Sequence, residues 1–307
     1  MRECLVVAYG AGVDSTAMLV GLRQRDVRPD AILFADTGGE KDQTYDFLPV
    51  MDAWLRDHDF PTVTVVRNVV TNFKHWPPYH TLEENCLTNG TLPSVAFGFQ
   101  MKSCSLKWKA APQHRWMKTF QPALDCWAAG GKVVRAVGFD SSPADQRRSN
   151  HAGQIDDPLY SFWYPLQDWQ WDRERCVEEI RQAGLPVPPK SSCFFCPAMK
   201  PFEVRELPKD KLRRIVLLEA RAEPRLRSIQ GLWGNGCKGT RGGVKKPGRM
   251  TDFIVEEGLL PASEVQRIRQ RVPLQLIENQ QAHARGEYIP DWPEFFCGQV
   301  NNLPDSA

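Results

Sequence analysis

No apolar run in this 307-residue chain approaches the ~20 residues that a membrane-spanning helix needs. The short run near the start, Cys4 to Tyr9 in MRECLVVAYGAG, also falls below the length of a signal-peptide core. No membrane partner and a cytoplasmic location are the resulting expectations. Internal repeats and low-complexity segments are absent as well, which argues against a solenoid or a linker-rich chain. A complete disulfide framework is excluded by arithmetic, because the cysteines number nine. Without a secretory signal they read as reduced thiols, metal ligands or catalytic groups. Nor is there a large excess of one charge: the formal net charge is only +2. That balance conceals an asymmetry, with aspartates crowding the first sixty residues and cations concentrated after Lys200. The segment KGTRGGVKKPGRM, Lys238 to Met250, joins glycines to cations without an acid. It reads either as a mobile loop meeting phosphates or as a solvated loop with no partner.

A hydrophobic content of 42% against 25% charged residues suits a globular protein of one large domain or two unequal ones. Four short apolar or β-branched runs, CLVVAYG, AILFAD, TVTVVRN and KVVRAVGF, have the character of strands buried in a parallel sheet. Helical spacing lies between them, in Ser15 to Gln24, in Tyr45 to Asp57 with a start or kink expected at Pro49, and in Gln113 to Ala129 with the same difficulty at Pro122. The alternation predicts an α/β fold with a doubly wound, mostly parallel, Rossmann-like sheet, whose ligands bind beyond the carboxyl ends of the strands. After a helix predicted over Asp172 to Ala183, the proline-rich LPVPPKSSCFFCP breaks the pattern. Amphipathic segments Lys209 to Arg221 and Ala262 to Arg285 follow. The expected division is therefore residues 1–190 as a nucleotide-binding α/β domain and 191–307 as a smaller, mainly helical, basic region.

The stretch AYGAGVDSTAM places Gly10 and Gly12 between the first strand and the first helix. A glycine turn there lets backbone amides approach an anion, and the helix start adds its positive dipole end. Ser15 and Thr16 can donate hydroxyls to phosphate oxygens, while Asp14 can hold magnesium or cap the helix. The dinucleotide fingerprint does not fit, since its third glycine would fall at Ser15, and the Walker ending G-K-[ST] is missing. GFDSSPADQRRS, from Gly138, opens on the same sheet edge, so Arg147 and Arg148 are candidates for the phosphates, against simple surface pairing. Farther on, Cys193-Phe-Phe-Cys196-Pro197 has a spacing at which two thiolates hold one metal or cluster. A thioredoxin-like redox pair and two free thiols are the rival readings.

GAGVDST, Gly10 to Thr16, resembles the S-G-G-x-D-S/T signature of the PP-loop ATP pyrophosphatases, with Gly10 at the serine position and Ala11 replacing a glycine. LFADTGGE, Leu33 to Glu40, is similar to the F-x-D-T-G-x-E segment of the phosphoadenosine phosphosulfate reductase branch, and KSCSLKWK, Lys102 to Lys109, to its C-T-x-x-x-K segment. The resemblance spans roughly residues 4–205. It implies cleavage of a nucleotide's α–β phosphate bond or transfer of its adenylyl group. Gly10, Ala11, Gly12, Val13, Asp14, Ser15 and Thr16 would then bind ATP phosphates with magnesium, Asp36 and Gly138 would lie at the nucleotide, Asp140, Asp145 and Arg147 of the strand-end loop would bind nucleotide or metal, and Asp14, Cys104 and Arg147 would be catalytic. It also implies Cys104 as a third ligand beside Cys193 and Cys196, with Cys86 or Cys237 competing for a fourth place. Because sulfur-inserting relatives adenylate RNA or DNA, a [4Fe-4S] cluster is the leading expectation and zinc the alternative. Sulfonucleotide reduction is a second enzymatic reading, although the E-C-G-L-H type tail is missing and only Cys297-Gly298 is comparable. A nucleotide-sensing module without turnover is a third. Trp108, Trp116, Trp163, Trp169 and Trp171 interleave with Lys107, Lys109, Arg115 and Arg173, a mixture able to stack bases and pair phosphates in a tRNA or DNA substrate, or else to build a core. A homodimer is compatible with all of this, and the sulfur donor is unassigned.

Overall fold

The computed structural model of the chain describes residues 3–73, 78–93, 104–153, 156–237, 245–272 and Arg285. Part of the basic glycine-rich loop, Lys102 and Ser103 of the KSCSLKWK segment, the end of the last expected helix and the segment around Cys297 lie outside the described residues. In chain order the elements are β1 (Leu5–Tyr9), α1 (Val13–Gln24), β2 (Ala31–Asp36), α2 (Asp42–Asp57), β3 (Val63–Arg67), α3 (Leu82–Asn89), a π-helical turn (Ser105–Ala110), α4 (Ala111–Met117), α5 (Gln121–Ala128), β4 (Val133–Val137), α6 (Pro143–Gly153) and β5 (Tyr160–Trp163). Then come α7 (Pro165–Asp168), α8 (Arg173–Gln182), α9 (Pro201–Arg205), α10 (Lys209–Ala222), a 3-10 turn (Glu223–Arg225) and α11 (Met250–Glu256).

The chain divides into two compact units. The first comprises Met1–Asp36, Glu40–Asn68 and Lys107–Ser192; the second comprises Thr37–Gly39, Val69–Leu106 and Cys193–Ala307. This division differs from a single cut near residue 190, because the segment from Val69 to Leu106 belongs with the C-terminal part.

In the first unit the five strands form one sheet in the order β3-β2-β1-β4-β5. Every pairing is parallel, with Val7 opposite Ile32 on one side and opposite Ala136 on the other. Strand residues alternate between two cores, as a two-residue side-chain period requires. Leu5, Val7, Tyr9, Ile32 and Phe34 join α1, α2 and α8 side chains such as Met18, Leu22, Met51 and Ile180. Cys4, Val6, Ala31, Leu33 and Ala35 pack with Met117 of α4 and Ala123 of α5. Helices therefore cover both faces of the sheet, which is the doubly wound α/β arrangement expected from the strand and helix alternation.

Prolines acted differently at two expected places. α2 runs from Asp42 to Asp57 with Pro49 inside it, so it neither starts nor stops there. Burying Phe47, Met51, Trp54 and Leu55, at about 1.5–3 kcal/mol each, outweighs the ~3 kcal/mol of an interior proline. The helix expected over Gln113 to Ala129 is instead α4 and α5, with Pro122 in the first turn of α5. An N–H is dispensable at that position.

The second unit is mainly helical among its described residues. Its α10 packs against α3, where Arg214 makes a bidentate ion pair with Glu83 and Arg221 Nε donates to the carbonyl of Leu87. Arg221 thereby satisfies a carbonyl at the C-terminal end of α3, where the helix leaves acceptors exposed, while Arg214 pairs with an acid in its first turn.

Candidate functional site

The strand order reverses direction on either side of β1, so its carboxyl end lies at the topological switch point between β1 and β4, where open α/β sheets bind ligands. The chain leaves Tyr9 through Gly10, turns at Ala11 with a left-handed φ of 53°, and enters α1 after an extended Gly12. That conformation costs an alanine about 1–2 kcal/mol relative to glycine, and Ala11 is fully buried in it. The result is a pair of converging donors. Gly10 N and Gly12 N both donate to Ser15 Oγ, at 3.2 and 3.3 Å, and that hydroxyl donates to Gly12 O at 3.2 Å. Two backbone amides thus converge on one oxygen at a helix start, a geometry that accepts a phosphate oxygen equally well once the Ser15 hydroxyl rotates.

The exit of β4 crosses directly over this turn. A β-carbon on Gly138 would stand 2.8 Å from Ser15 N and 3.0 Å from the Asp14 carbonyl carbon. Both obstacles are backbone, so only glycine allows the approach. It brings Asp140 and Asp145, the latter in the first turn of α6, to Asp14. Among the described residues these three carboxylates form the one group of His, Cys, Asp or Glu whose ligand atoms all lie within 4.8 Å of one another. Oxygen-only donors in that number suit a hard divalent cation that completes its shell with water and phosphate.

Cations already touch the group. Arg173 Nη1, from the start of α8, donates to Asp14 Oδ1 at 2.8 Å, and Arg148 Nη1 donates to Asp145 Oδ1 at 2.8 Å. Burial pushes the Asp14 carboxyl up from its ordinary value; Arg173 opposes this, and Asp140 and Asp145 reinforce it. Burial likewise raises Asp145, against the pull of Arg148. A carboxyl raised in the fold contributes stability below its unfolded value, and that contribution is lost as pH rises through the folded value. Without a divalent cation, the protein is therefore expected to melt lower at neutral pH than at a pH just above the ordinary carboxylate range. Saturating magnesium or manganese should raise the neutral-pH melting temperature by about 5 °C. Acidification through the raised values should remove that gain, since protons compete for the same oxygens; thermal melts at paired pH values, with and without the cation, check both signs.

Other expected site residues take varied places. Val13 is buried in the core, leaving only its backbone to face a ligand. Thr16 corrects the expectation of a phosphate-facing hydroxyl: it is fully buried, with Oγ1 3.3 Å from the Tyr9 hydroxyl, so it fastens α1 to β1. Asp36 ends β2, but its carboxylate accepts from Tyr45 at Oδ1 (2.7 Å) and from Arg67 Nε at Oδ2 (2.9 Å). Those bonds make it an organiser of the strand end. Arg147 is exposed on α6, and its neighbour Arg148 is the one that reaches the acid group. Trp108 and Trp171 are buried in the fold, and Trp169 takes the cation of Arg25 4.1 Å above its ring, so these three serve packing.

Cys86, Cys104, Cys193, Cys196 and Cys237 all belong to the second unit. There the Thr37 hydroxyl lies 3.1 Å from Cys193 Sγ, and Cys196 N donates to Cys193 O at 3.1 Å in a tight turn. A tetrahedral zinc ion at about 2.3 Å from each sulfur holds its thiolates close together. Among the described residues no three of these cysteines bring their sulfurs within 4.8 Å of one another. A four-iron cluster holds its cysteines farther apart, and that spacing does not bear on it. Cys176, buried against α1, has its thiol pushed up to about 12, chiefly by burial, and acts as a packing residue. No family model and no curated protein matches this chain.

Proposed function

We propose that the chain is a magnesium-dependent, PP-loop type enzyme that transfers the adenylyl group of ATP to an oxygen of its substrate. The observation that carries this reading is the meeting, at one sheet edge, of the two-amide turn at Gly10 and Gly12 with the Asp14, Asp140 and Asp145 carboxylates. Each half alone has common structural explanations. Together they offer donors for phosphate oxygens beside ligands for the cation that neutralises those oxygens.

In the proposed reaction the acceptor oxygen attacks the α-phosphorus, the bond from that phosphorus to the α–β bridging oxygen breaks, and pyrophosphate leaves with the bonding pair. The amides of Gly10 and Gly12 and the Ser15 hydroxyl hold the departing pyrophosphate, and Arg148 and Arg173 are near enough to the acids to follow the charge. The adenylated oxygen then becomes a good leaving group, and a sulfur nucleophile displaces it as AMP. A nucleic-acid base is the proposed acceptor, and a cluster on Cys104, Cys193 and Cys196 would supply sulfide chemistry. Release of pyrophosphate from ATP with magnesium, followed with and without tRNA or DNA, tests the reading. Binding of ATP without any release would assign a sensing module; release of sulfite from a sulfonucleotide would assign the reductase reading.

Anaerobically prepared protein is expected to contain iron and acid-labile sulfide and to show a broad absorbance near ~400 nm, lost on Cys193→Ala. Iron-free protein with full pyrophosphate release would remove the cluster and leave the adenylating half standing.

A further inference from the structure

The segment that leads into the C-x-x-C motif touches the glycine turn. A β-carbon on Gly12 would stand 2.6 Å from Ser191 Oγ and 3.7 Å from Ser191 N, and one on Gly10 would lie 3.8 Å from both Ser191 Oγ and Ser15 Oγ. Two hydroxyls from positions far apart in sequence therefore converge beside the same backbone amides. Ser15 Oγ is engaged by the turn itself. Ser191 Oγ has no such role in the turn; it approaches Gly10 and Gly12 at the side left open by their missing side chains.

The approach is stiff. Pro188 and Pro189 precede Lys190, Pro188 is buried, and Ser192 O accepts from Lys41 N at 3.2 Å. Prolines fix the backbone on one side and a hydrogen bond fixes it on the other, so little freedom is lost when the hydroxyl engages a ligand. A hydroxyl held against an amide nest is chemically matched to a phosphate oxygen, whose charge strengthens each bond it accepts.

We propose that Ser191 is a second phosphate-binding hydroxyl of the glycine turn, selecting ligands that carry a pyrophosphate group over nucleoside monophosphates. This rests on the nucleotide reading above. It adds a residue outside the local motif, and it explains why Gly12 admits no side chain: a β-carbon there would displace the Ser191 hydroxyl.

The test is calorimetric titration of the full chain with magnesium and inorganic pyrophosphate, ATP or AMP, comparing wild type, Ser15→Ala and Ser191→Ala. Loss of one charge-assisted bond predicts affinity for pyrophosphate and ATP reduced about 10-fold or more in Ser191→Ala, with AMP unchanged. Wild-type binding with Ser191→Ala within about twofold for both ligands would overturn the role of Ser191 alone. An equal loss for AMP would overturn the selectivity. Absence of wild-type binding to both ATP and pyrophosphate would overturn the nucleotide reading and this inference with it. Ser15→Ala separates the cases, because it weakens binding wherever the turn is the phosphate site.

Discussion

Asp14→Asn is expected to lower magnesium-dependent pyrophosphate release from ATP by about 10²–10³-fold, with the fold intact. The substitution preserves the shape of the side chain and removes the charge that Arg173 engages and that the proposed cation would engage. Asp14 lies in the first turn of α1, where losing an acid costs only about 0.3–1 kcal/mol of helix stability. Activity and stability should therefore separate: circular dichroism and melting temperature stay close to wild type while turnover collapses. Asp125→Asn, an exposed site on α5 whose carboxylate accepts from Gln121 one turn earlier, supplies the control. Turnover in Asp14→Asn equal to that control would dissociate the acid group from the chemistry.

The largest stability effect is expected in the second unit, from Glu219→Ala. Glu219, on α10, is 3% exposed, and its carboxylate takes four donors. Oε1 accepts from Leu232 N and Met250 N at 2.7 and 3.0 Å; Oε2 accepts from Thr251 N and Oγ1 at 2.8 and 2.6 Å. One side chain thereby anchors the turn at Gly231 and the start of α11 to α10. Truncation strands three buried amides, at about 1–3 kcal/mol each, so a loss of about 3–5 kcal/mol or more follows. Urea denaturation followed by circular dichroism measures it. Glu219→Gln should fall between the two, since its amide nitrogen cannot accept from either Thr251 donor. A midpoint for Glu219→Ala matching wild type would mean that the anchor carries no energy.

How far these features could be read in advance depends on whether their signal is local. The four apolar runs became β1 to β4 because buried parallel strands need unbroken apolar stretches, and Asp172 caps α8 through Arg175 N at 2.8 Å, as its place before a helical pattern implied. β5 escaped notice: Tyr160–Trp163 is four residues long, at the sheet edge, and aromatic at all positions but Ser161. α3 was overlooked despite a legible sign, since Thr81 and Glu84 form a reciprocal capping box. Thr16 was misjudged because adjacency to Ser15 says nothing about which way a helical side chain points; a rotation of about 100° per residue sends it inward. Arg173 at Asp14 and Ser191 at Gly12 are contacts across more than 150 positions, and no local pattern encodes such pairs. The acid group was half legible, because each carboxylate sat at a predicted strand end, but the closeness that Gly138 permits is a property of the assembled sheet.

The threading of the two units has a consequence for how the chain comes into being. Every residue of the first unit has been synthesised once Ser192 is made, whereas Val69–Leu106 must wait for partners that start at Cys193. Through that interval α3 presents Leu82, Cys86 and Leu87, all buried in the finished protein, without the α10 that later covers them. The sheet can close early around its own strands while a looped-out segment stays exposed, and the length of that wait is set by translation rather than by the intrinsic folding rate. Synthesis that pauses shortly after residue 192 would prolong the exposure, and the α3 segment is then the part of the nascent chain that chaperones would have most reason to hold.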